Sequence, residues 1–578
     1  MKIAYVEIQN FRGISSSKIF FNGHSVIIGD NNAGKSTVFE AIDLVLGPDR
    51  LNRTPVIDEH DFYNGVYMCT AEEQAPQINI EVLLIDLEDE QKRRFNNNIE
   101  YWNQKDCMLL SEGEIDDVDD ENVIAALRVK FIGSYDEDED DFKGETYFCS
   151  PQRADETFAK FSKMDKRECG FLYLRALRTG SRALSMERGS LLDIILRIKE
   201  LRPKMWESVL DDLRKVQVAA DPTLGISEVL SDVQSALKEF VPADWGEAPI
   251  LRVSDLTREH LRKTLTVFLA TGKDGYHAPF HHQGTGTVNT MVLALLSMIA
   301  EAKKTVIFAM EEPEIAIPPY TQKRIIHHIR QKSTQAIFTS HSPFVLEEFS
   351  PSQIILLTRN KKGVQKSEFM TFPKHIRPKN YNAQFRSGFS EALLAKRILV
   401  AEGDTEMILY PAAARRLSEL QPTKYSSLEA MGVSIFNAGS ENSIPLYGDY
   451  FRKQGKIVFA VFDKQTEDAL QKIVESVDRA YEIPFKGIES MLLRETDEAI
   501  ITQFYKQLQI DGEWPNHIKL AENEEDIESI KKALLNYFKK SKSGRGSSEL
   551  IALCYETRQV PKSLRKTLAN IKESLDIL

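Results

Sequence analysis

The stretch Gly29-Asp30-Asn31-Asn32-Ala33-Gly34-Lys35-Ser36 constrains this chain more than any other. An apolar run, Ser25-Val26-Ile27-Ile28, precedes it, and a helical pattern from Val38 to Leu46 follows and stops at Gly47-Pro48. Strand, glycine loop and helix start come in the order that a phosphate-binding P-loop requires. The glycines let backbone N–H groups crowd around a pyrophosphate, and the helix N-terminus adds partial positive charge. Lys35 can reach the β and γ phosphates and Ser36 can hold Mg²⁺, with Asn31, Gly34 and Thr37 in the same cradle. An ordinary glycine turn before a helix would not explain why Lys and Ser follow the second glycine. The expected cofactor is a nucleotide, read as ATP with Mg²⁺.

At 578 residues the chain is too long for one core, and roughly 100–200 residues per domain gives about three units. The start, Met1 to Glu7, has no apolar signal region, and no apolar run approaches the roughly 18 residues of a membrane span. A soluble, cytoplasmic protein with no membrane partner is expected. The five cysteines show no CxxC spacing, which argues against a zinc ribbon or a disulfide framework. The net charge of −12 is localised: seven acids lie between Glu112 and Glu121, and six more run from Asp136 to Asp141. The remainder is near neutral, so a basic groove for nucleic acid stays open.

Ile3–Ile8 reads as a strand leading to Asn10-Phe11-Arg12-Gly13, and strand-like patterns recur at 76–86 and 123–132. Phe171–Arg178 reads as another buried strand with arginines at its end, and Arg175, Arg178, Arg182 and Arg188 form a cluster that either contacts phosphate or DNA or is solvated or paired surface charge. Residues 190–240 carry apolar side chains at helical spacing. Gln283-Gly284-Thr285-Gly286-Thr287 opens an apolar helix, and Thr305–Met310 is an apolar strand that ends in Glu311-Glu312-Pro313-Glu314. Acids at such a strand end are where an ATPase positions Mg²⁺ and the attacking water. Glu311 suits the metal and Glu312 the general base. A further strand, Gln335–Thr339, ends in Ser340-His341-Ser342-Pro343, where His341 can sense the γ-phosphate.

In the second half, Arg397–Ala401 is a strand delivering Glu402-Gly403-Asp404-Thr405-Glu406 onto a helix start. Lys456–Phe462 is another, ending at Asp463-Lys464-Gln465. Two apolar strands that end in carboxylates place acids at the carboxyl edge of a parallel sheet, where α/β domains put their chemistry. Such acids bind Mg²⁺ or Mn²⁺, and two ions can clamp the attacking and leaving oxygens of a phosphodiester.

The order P-loop, glycine-rich signature, strand-EEPE and strand-SHSP resembles the head of the ABC-type ATPases of DNA metabolism, which include RecF and the SMC proteins. Asn10-Phe11-Arg12-Gly13 is similar to their opening motif, whereas Glu311 stands where that group usually has Asp. The second half resembles a Toprim domain, and the combination resembles the OLD family of ATP-dependent endonucleases, which includes the nuclease subunit of the Gabija antiphage system. The fold class implied is α/β: a P-loop head with an inserted helical arm or dimerisation segment, then a C-terminal Toprim α/β domain. The boundaries expected are 1–185 and 251–375 for the head, 186–250 for the insertion and 390–578 for the Toprim domain.

The resemblance implies a head-to-head homodimer, or a higher homo-oligomer, in which Gly284 and Gly286 complete the partner's ATP site. It implies metal ligands at Glu402, Glu406, Asp463 and Glu489. Gln465 stands at the second acid of the Asp-x-Asp pattern, where an amide binds a divalent ion more weakly than a carboxylate. It also implies a C-terminal lysine that stabilises the transition-state phosphate, best matched by Lys542. DNA cleavage, a defence role and a helicase or reverse-transcriptase partner are further implications. The competing reading is a DNA-binding sensor ATPase whose Toprim half is an inactive or partner-dependent scaffold, which Gln465 favours. An enzyme acting on nucleotides or RNA also stays open.

Overall fold

The computed structural model describes the chain except for residues 49–55, 69–74, 111–119, 152–157, 175–183, 187–189, 200–207, 214–225, 241–256, 271–276, 303–305, 316–317, 372–387, 541–544 and 578. The four arginines at 175, 178, 182 and 188, and Lys542, lie outside the described residues. The chain forms two compact units. One comprises Met1–Ile27, Asn31–Ser340 and Leu357–Glu368, and the other Ile28–Asp30, His341–Leu356 and Phe369–Leu578.

The first unit contains a seven-stranded antiparallel sheet. Its strands are β1 (Lys2–Phe11), β2 (Ile14–Phe20), β4 (Ile78–Ile85), β5 (Ile99–Asn103), β6 (Met108–Leu110), β7 (Val123–Asp136) and β8 (Asp141–Phe148), in the order β2-β1-β4-β7-β5-β6 with β8 also on β7. In the central part of β7 buried and half-buried residues alternate, as expected where one sheet face is covered more fully than the other. The segments read as strands at 76–86 and 123–132 are β4 and β7, paired antiparallel.

The second sheet has the order β15-β14-β3-β13-β12-β9. Its strands are β3 (Ser25–Ile28), β9 (Phe171–Leu174), β12 (Ile307–Glu311), β13 (Gln335–Thr339), β14 (Ile354–Arg359) and β15 (Gln365–Phe369). β3, β13, β12 and β9 run parallel. β3 and β13 are buried throughout, and β12 is buried up to Met310. Continuous apolar runs are what parallel strands covered on both faces require. A short hairpin, β10 (Phe268–Ala270) with β11 (His277–Pro279), stands apart. Of the region read as helical at 190–240, Leu191–Ile198 and Ile226–Phe240 are helices. The connector after Pro351, read as one short strand and a polar linker, supplies two strands, β14 and β15.

The second unit is built on a four-stranded parallel sheet, β17-β16-β18-β19, of β16 (Arg397–Ala401), β17 (Val433–Asn437), β18 (Ile457–Phe462) and β19 (Arg479–Glu482). Helices from Asp404–Leu420, Ile488–Glu495, Glu498–Ile510, Ile527–Lys540, Arg545–Ala552 and Lys562–Ile577 pack with the sheet around one core, in which Leu399, Tyr410, Phe459, Met491 and Leu534 are fully buried. Among the described residues, no helix is long and apolar enough to cross a membrane.

Candidate functional site

The nucleotide loop is built at the end of β3. Gly34 adopts φ 88°, ψ 24°, a left-handed conformation that glycine takes without strain, and caps helix α1 (Lys35–Leu46). Lys35 opens α1 and is only 7% exposed, while Ser36 is exposed, Thr37 half-buried and Asn31 exposed. Three neighbours that the sequence reading did not assign hold this element. The Gln365 amide donates to the Ala33 carbonyl at 2.6 Å and accepts from Ser17 Oγ at 2.7 Å. Arg12 donates to Asp61 Oδ1 at 2.7 Å and pairs with Glu40 of α1. Lys166, fully buried, donates to the Leu44 carbonyl in the last turn of α1 at 2.7 Å, and burial pushes its ammonium down to about 7.

β3, β13 and β12 are adjacent and parallel, so their carboxyl ends share one edge. β3 runs into the glycine loop and β12 ends at Glu311, in register with Thr339. Tyr173 of β9 donates to Glu311 Oε1 at 2.8 Å. Glu312 sits at φ 43°, a left-handed conformation, with its N–H on the Thr339 carbonyl at 2.9 Å. Ser340 donates to Glu314 Oε1 at 3.0 Å. His341 belongs to the second unit and is exposed. Gly284 is exposed and immediately precedes helix α2 (Thr285–Ala302), to whose first turn its carbonyl bonds. Gly286 lies inside that turn.

In the second unit, Ala401 of β16 is in register with Val461 of β18, so Glu402 and Asp463 leave neighbouring strand ends. The Asp463 N–H donates to Glu402 Oε2 at 3.2 Å. Glu406, 5% exposed, lies in the first turn of α3 (Asp404–Leu420), and Glu489 in the first turn of α4 (Ile488–Glu495). Gly487, at φ 92°, donates its N–H to Asp463 Oδ2 at 2.7 Å. These acids line an open cleft of about 460 Å³ together with Glu441, from the loop after β17. The sequence reading missed Glu441 because β17 itself, Val433-Ser434-Ile435-Phe436-Asn437, is short and carries no strong strand signal.

Burial and the charges of neighbouring acids hold the Glu402, Glu406 and Asp463 carboxyls protonated more firmly than usual. Burial first, then the charges of Asp463, Glu402 and Glu489, pushes Glu406 up to about 7. Burial, then Glu402, pushes Asp463 up to about 6 against the Gly487 hydrogen bond. Burial also raises Glu402. Asp463 Oδ1 is buried without a hydrogen-bond partner. Among the described residues, no three carboxylate, imidazole or thiolate groups are gathered closely enough to close on one ion. The donors are all oxygen, the chemistry of Mg²⁺ and Mn²⁺, and the orphaned Asp463 oxygen is of the kind a cation satisfies. The residues therefore fit a divalent ion in donor chemistry, without three of them converging on one point among the described residues. Gln465 donates its side-chain amide to Glu441 Oε2 at 3.1 Å and to the Asp463 carbonyl, also at 3.1 Å.

Comparison with known proteins finds two domain families along the chain. Residues 1–179 and 201–346, more than half of the chain, match the AAA ATPase domain family, and residues 393–464 match the "Overcoming lysogenization defect protein-like, TOPRIM domain" family. The chain is 21% identical to the Old nuclease of Escherichia phage P2 over 462 residues, 73% of this chain and 72% of that protein. It is 22% identical to Endonuclease GajA of Bacillus cereus (strain VD045) over 222 residues, 37% of each, so it spans little more than a third of that relative's length. Solved structures similar to it include an SMC head bound to the C-terminal winged-helix domain of ScpA (TM-score 0.36, 14% identity, 65% of this chain and 100% of that one). The SMC head domain from Thermotoga maritima is another (TM-score 0.30, 14% identity, 64% and 100%). The chain belongs to the AAA ATPase domain family and joins that domain to an OLD-like TOPRIM domain, the architecture of an OLD-family nuclease.

Proposed function

We propose that this protein is a metal-dependent DNA endonuclease whose phosphodiester hydrolysis in the TOPRIM unit is regulated by ATP binding and hydrolysis in the ATPase unit. The observation that carries this reading is the acid-lined cleft at the carboxyl edge of the β16–β18 sheet, with Asp463 Oδ1 buried and unpartnered inside it. Glu402, Glu406, Asp463 and Glu489 would hold Mg²⁺ or Mn²⁺, with Gln465 beside them. When bound, such ions would polarise the scissile phosphate and lower the pKa of a water. The chain's own contribution is to orient the acids: the Gly487 N–H fixes one Asp463 oxygen, and the other, without a hydrogen-bond partner, would be available to a cation. Lys542 is assigned to stabilise the transition-state phosphate.

In the ATPase unit, Asn31, Gly34, Lys35, Ser36 and Thr37 cradle the nucleotide, with Ser36 and Glu311 on the Mg²⁺ side. Glu312 acts as the general base toward water and His341 senses the γ-phosphate. Gly284 and Gly286 act in trans in a homodimer of heads, and the segment 186–250 serves as the arm or dimerisation element. Antiphage defence, with a helicase or reverse-transcriptase partner, and residence in the cytoplasm extend the likeness to OLD-type nucleases.

A second reading, a sensor ATPase whose TOPRIM unit needs a partner, is favoured by Gln465 and by the absence of three convergent ligands among the described residues. Cleavage of supercoiled plasmid with Mg²⁺ or Mn²⁺, with and without ATP, separates the two. Metal-dependent nicking that Asp463→Ala abolishes supports the nuclease, and the Lys35→Ala protein then tells whether nucleotide activates or restrains it. Intact ATP hydrolysis with no cutting in any condition would leave the sensor reading.

A further inference from the structure

The loop after β17 brings Glu441 into the cleft on the side where the strand-end pattern carries Gln465 instead of an acid. The two side chains meet: Gln465 Nε2 donates to Glu441 Oε2 at 3.1 Å. Gln465 is itself fixed from two other sides, by its N–H on Glu482 Oε1 at 2.8 Å and by a second amide bond to the Asp463 carbonyl at 3.1 Å. An amide held this way presents N–H to a carboxylate that has arrived from another strand. Glu441 is also close enough to Glu402 and Asp463 for its charge to bear on both. Glu441 lines the same cleft as Glu402 and Asp463, so like charges face one another there, a repulsion that a bound cation would relieve.

We propose that Glu441 supplies to the metal cleft the carboxylate that position 465 lacks, and that Gln465 is the positioning residue that holds it there. The inference rests on the reading of the cleft as a divalent-metal site and adds the origin of its displaced acid. β17 is the parallel neighbour of β16, whose end carries Glu402, so the loops after these two strands open onto the same carboxyl edge. Exchange of a strand-end acid for one on the adjacent loop keeps the count of oxygen donors while moving one of them.

The test reads metal binding directly, with Mn²⁺ alone and no DNA. Free Mn²⁺ is followed by electron paramagnetic resonance during titration of the full chain, for wild type and for Glu402→Ala, Glu441→Gln, Gln465→Ala and the pair Glu441→Gln with Gln465→Asp. Thermal melting in chelator verifies that each variant folds. Glu441→Gln is expected to weaken Mn²⁺ binding about tenfold or more, and Gln465→Ala by a similar or smaller factor, the range seen when a group orienting a metal ligand is removed. Returning an acid to position 465 in the double variant is expected to recover most of that loss, whereas a merely structural role for Glu441 would not be rescued. Wild-type affinity in Glu441→Gln, with binding lost in Glu402→Ala, would overturn the proposal and leave the metal site standing. Mn²⁺ binding indifferent to Glu402→Ala would overturn both.

Discussion

Gln365 donates its side-chain amide to the Ala33 carbonyl at 2.6 Å, clamping the glycine loop from a strand 332 residues further along the chain. The contact is buried, and Ser17 holds the other end of the same amide at 2.7 Å. Removing one partner of a buried hydrogen bond leaves the other unsatisfied, at about 1–3 kcal/mol. Gln365→Ala is therefore expected to weaken ATP binding about tenfold, read by fluorescent-nucleotide titration, with a fold that persists in circular dichroism. Gln365→Glu, which faces the Ala33 carbonyl with a second acceptor, should do at least as much. Unchanged nucleotide affinity in both would show that the clamp does not set the loop's geometry.

Glu312 is held at φ 43° with its N–H on Thr339, a backbone arrangement that does not depend on its carboxylate. Glu312→Gln therefore keeps the turn while removing the proposed base. Phosphate release should fall by at least about a hundredfold, within the usual range for a lost general base, while ATP binding is retained. Hydrolysis within a few-fold of wild type would move the base elsewhere, with Glu314 the next carboxylate in the same turn.

Tyr173 donates to Glu311 Oε1 at 2.8 Å, so one oxygen of the proposed metal-side acid is already oriented. Tyr173→Phe removes that orientation and keeps the ring. The Mg²⁺ concentration giving half-maximal ATP hydrolysis should rise about tenfold, as for other groups that orient a metal ligand. A fall in maximal rate with an unchanged Mg²⁺ requirement would instead place Glu311 away from the ion.

Much of this was legible because the chemistry sits at strand ends that are continuous apolar runs. Ile307–Met310, Arg397–Ala401 and Ile457–Phe462 each announce a buried parallel strand, and the carboxylate that follows needs no further signal. What was not legible comes from elements whose burial is set by their neighbours. β15, Gln-Lys-Ser-Glu-Phe, is polar and reads as a linker, yet its Gln365 is buried because the loop carbonyl and Ser17 satisfy it. β17 is half-buried and irregular in pattern, so the loop carrying Glu441 could not be placed at the cleft. Arg12 showed as part of a motif, but its partners, Asp61 and Glu40, lie 49 and 28 residues away and belong to no sequence pattern.

Binding of the proposed ion by Glu406 and Asp463 is expected to release protons. Glu406 is pushed up to about 7 and Asp463 to about 6, both by burial first and by neighbouring acids second. Between the ordinary carboxylate range and these values the native protein holds protons that the unfolded chain has already lost. Without metal, these two groups therefore make the fold progressively less stable as pH rises from about 4 through about 7, and the deficit persists above that. A divalent ion favours the charged forms, so at pH 6 its binding to these two groups is expected to expel roughly one to one and a half protons, and at pH 8.5 almost none. Calorimetric titration with Mn²⁺ in two buffers of different ionisation enthalpy reads that number. The apparent heats should differ at pH 6 and coincide at pH 8.5, and Glu406→Gln should remove most of the pH 6 difference. Equal heats in both buffers at pH 6 would mean that the ion binds without displacing these protons, and would exclude Glu406 and Asp463 together as its ligands.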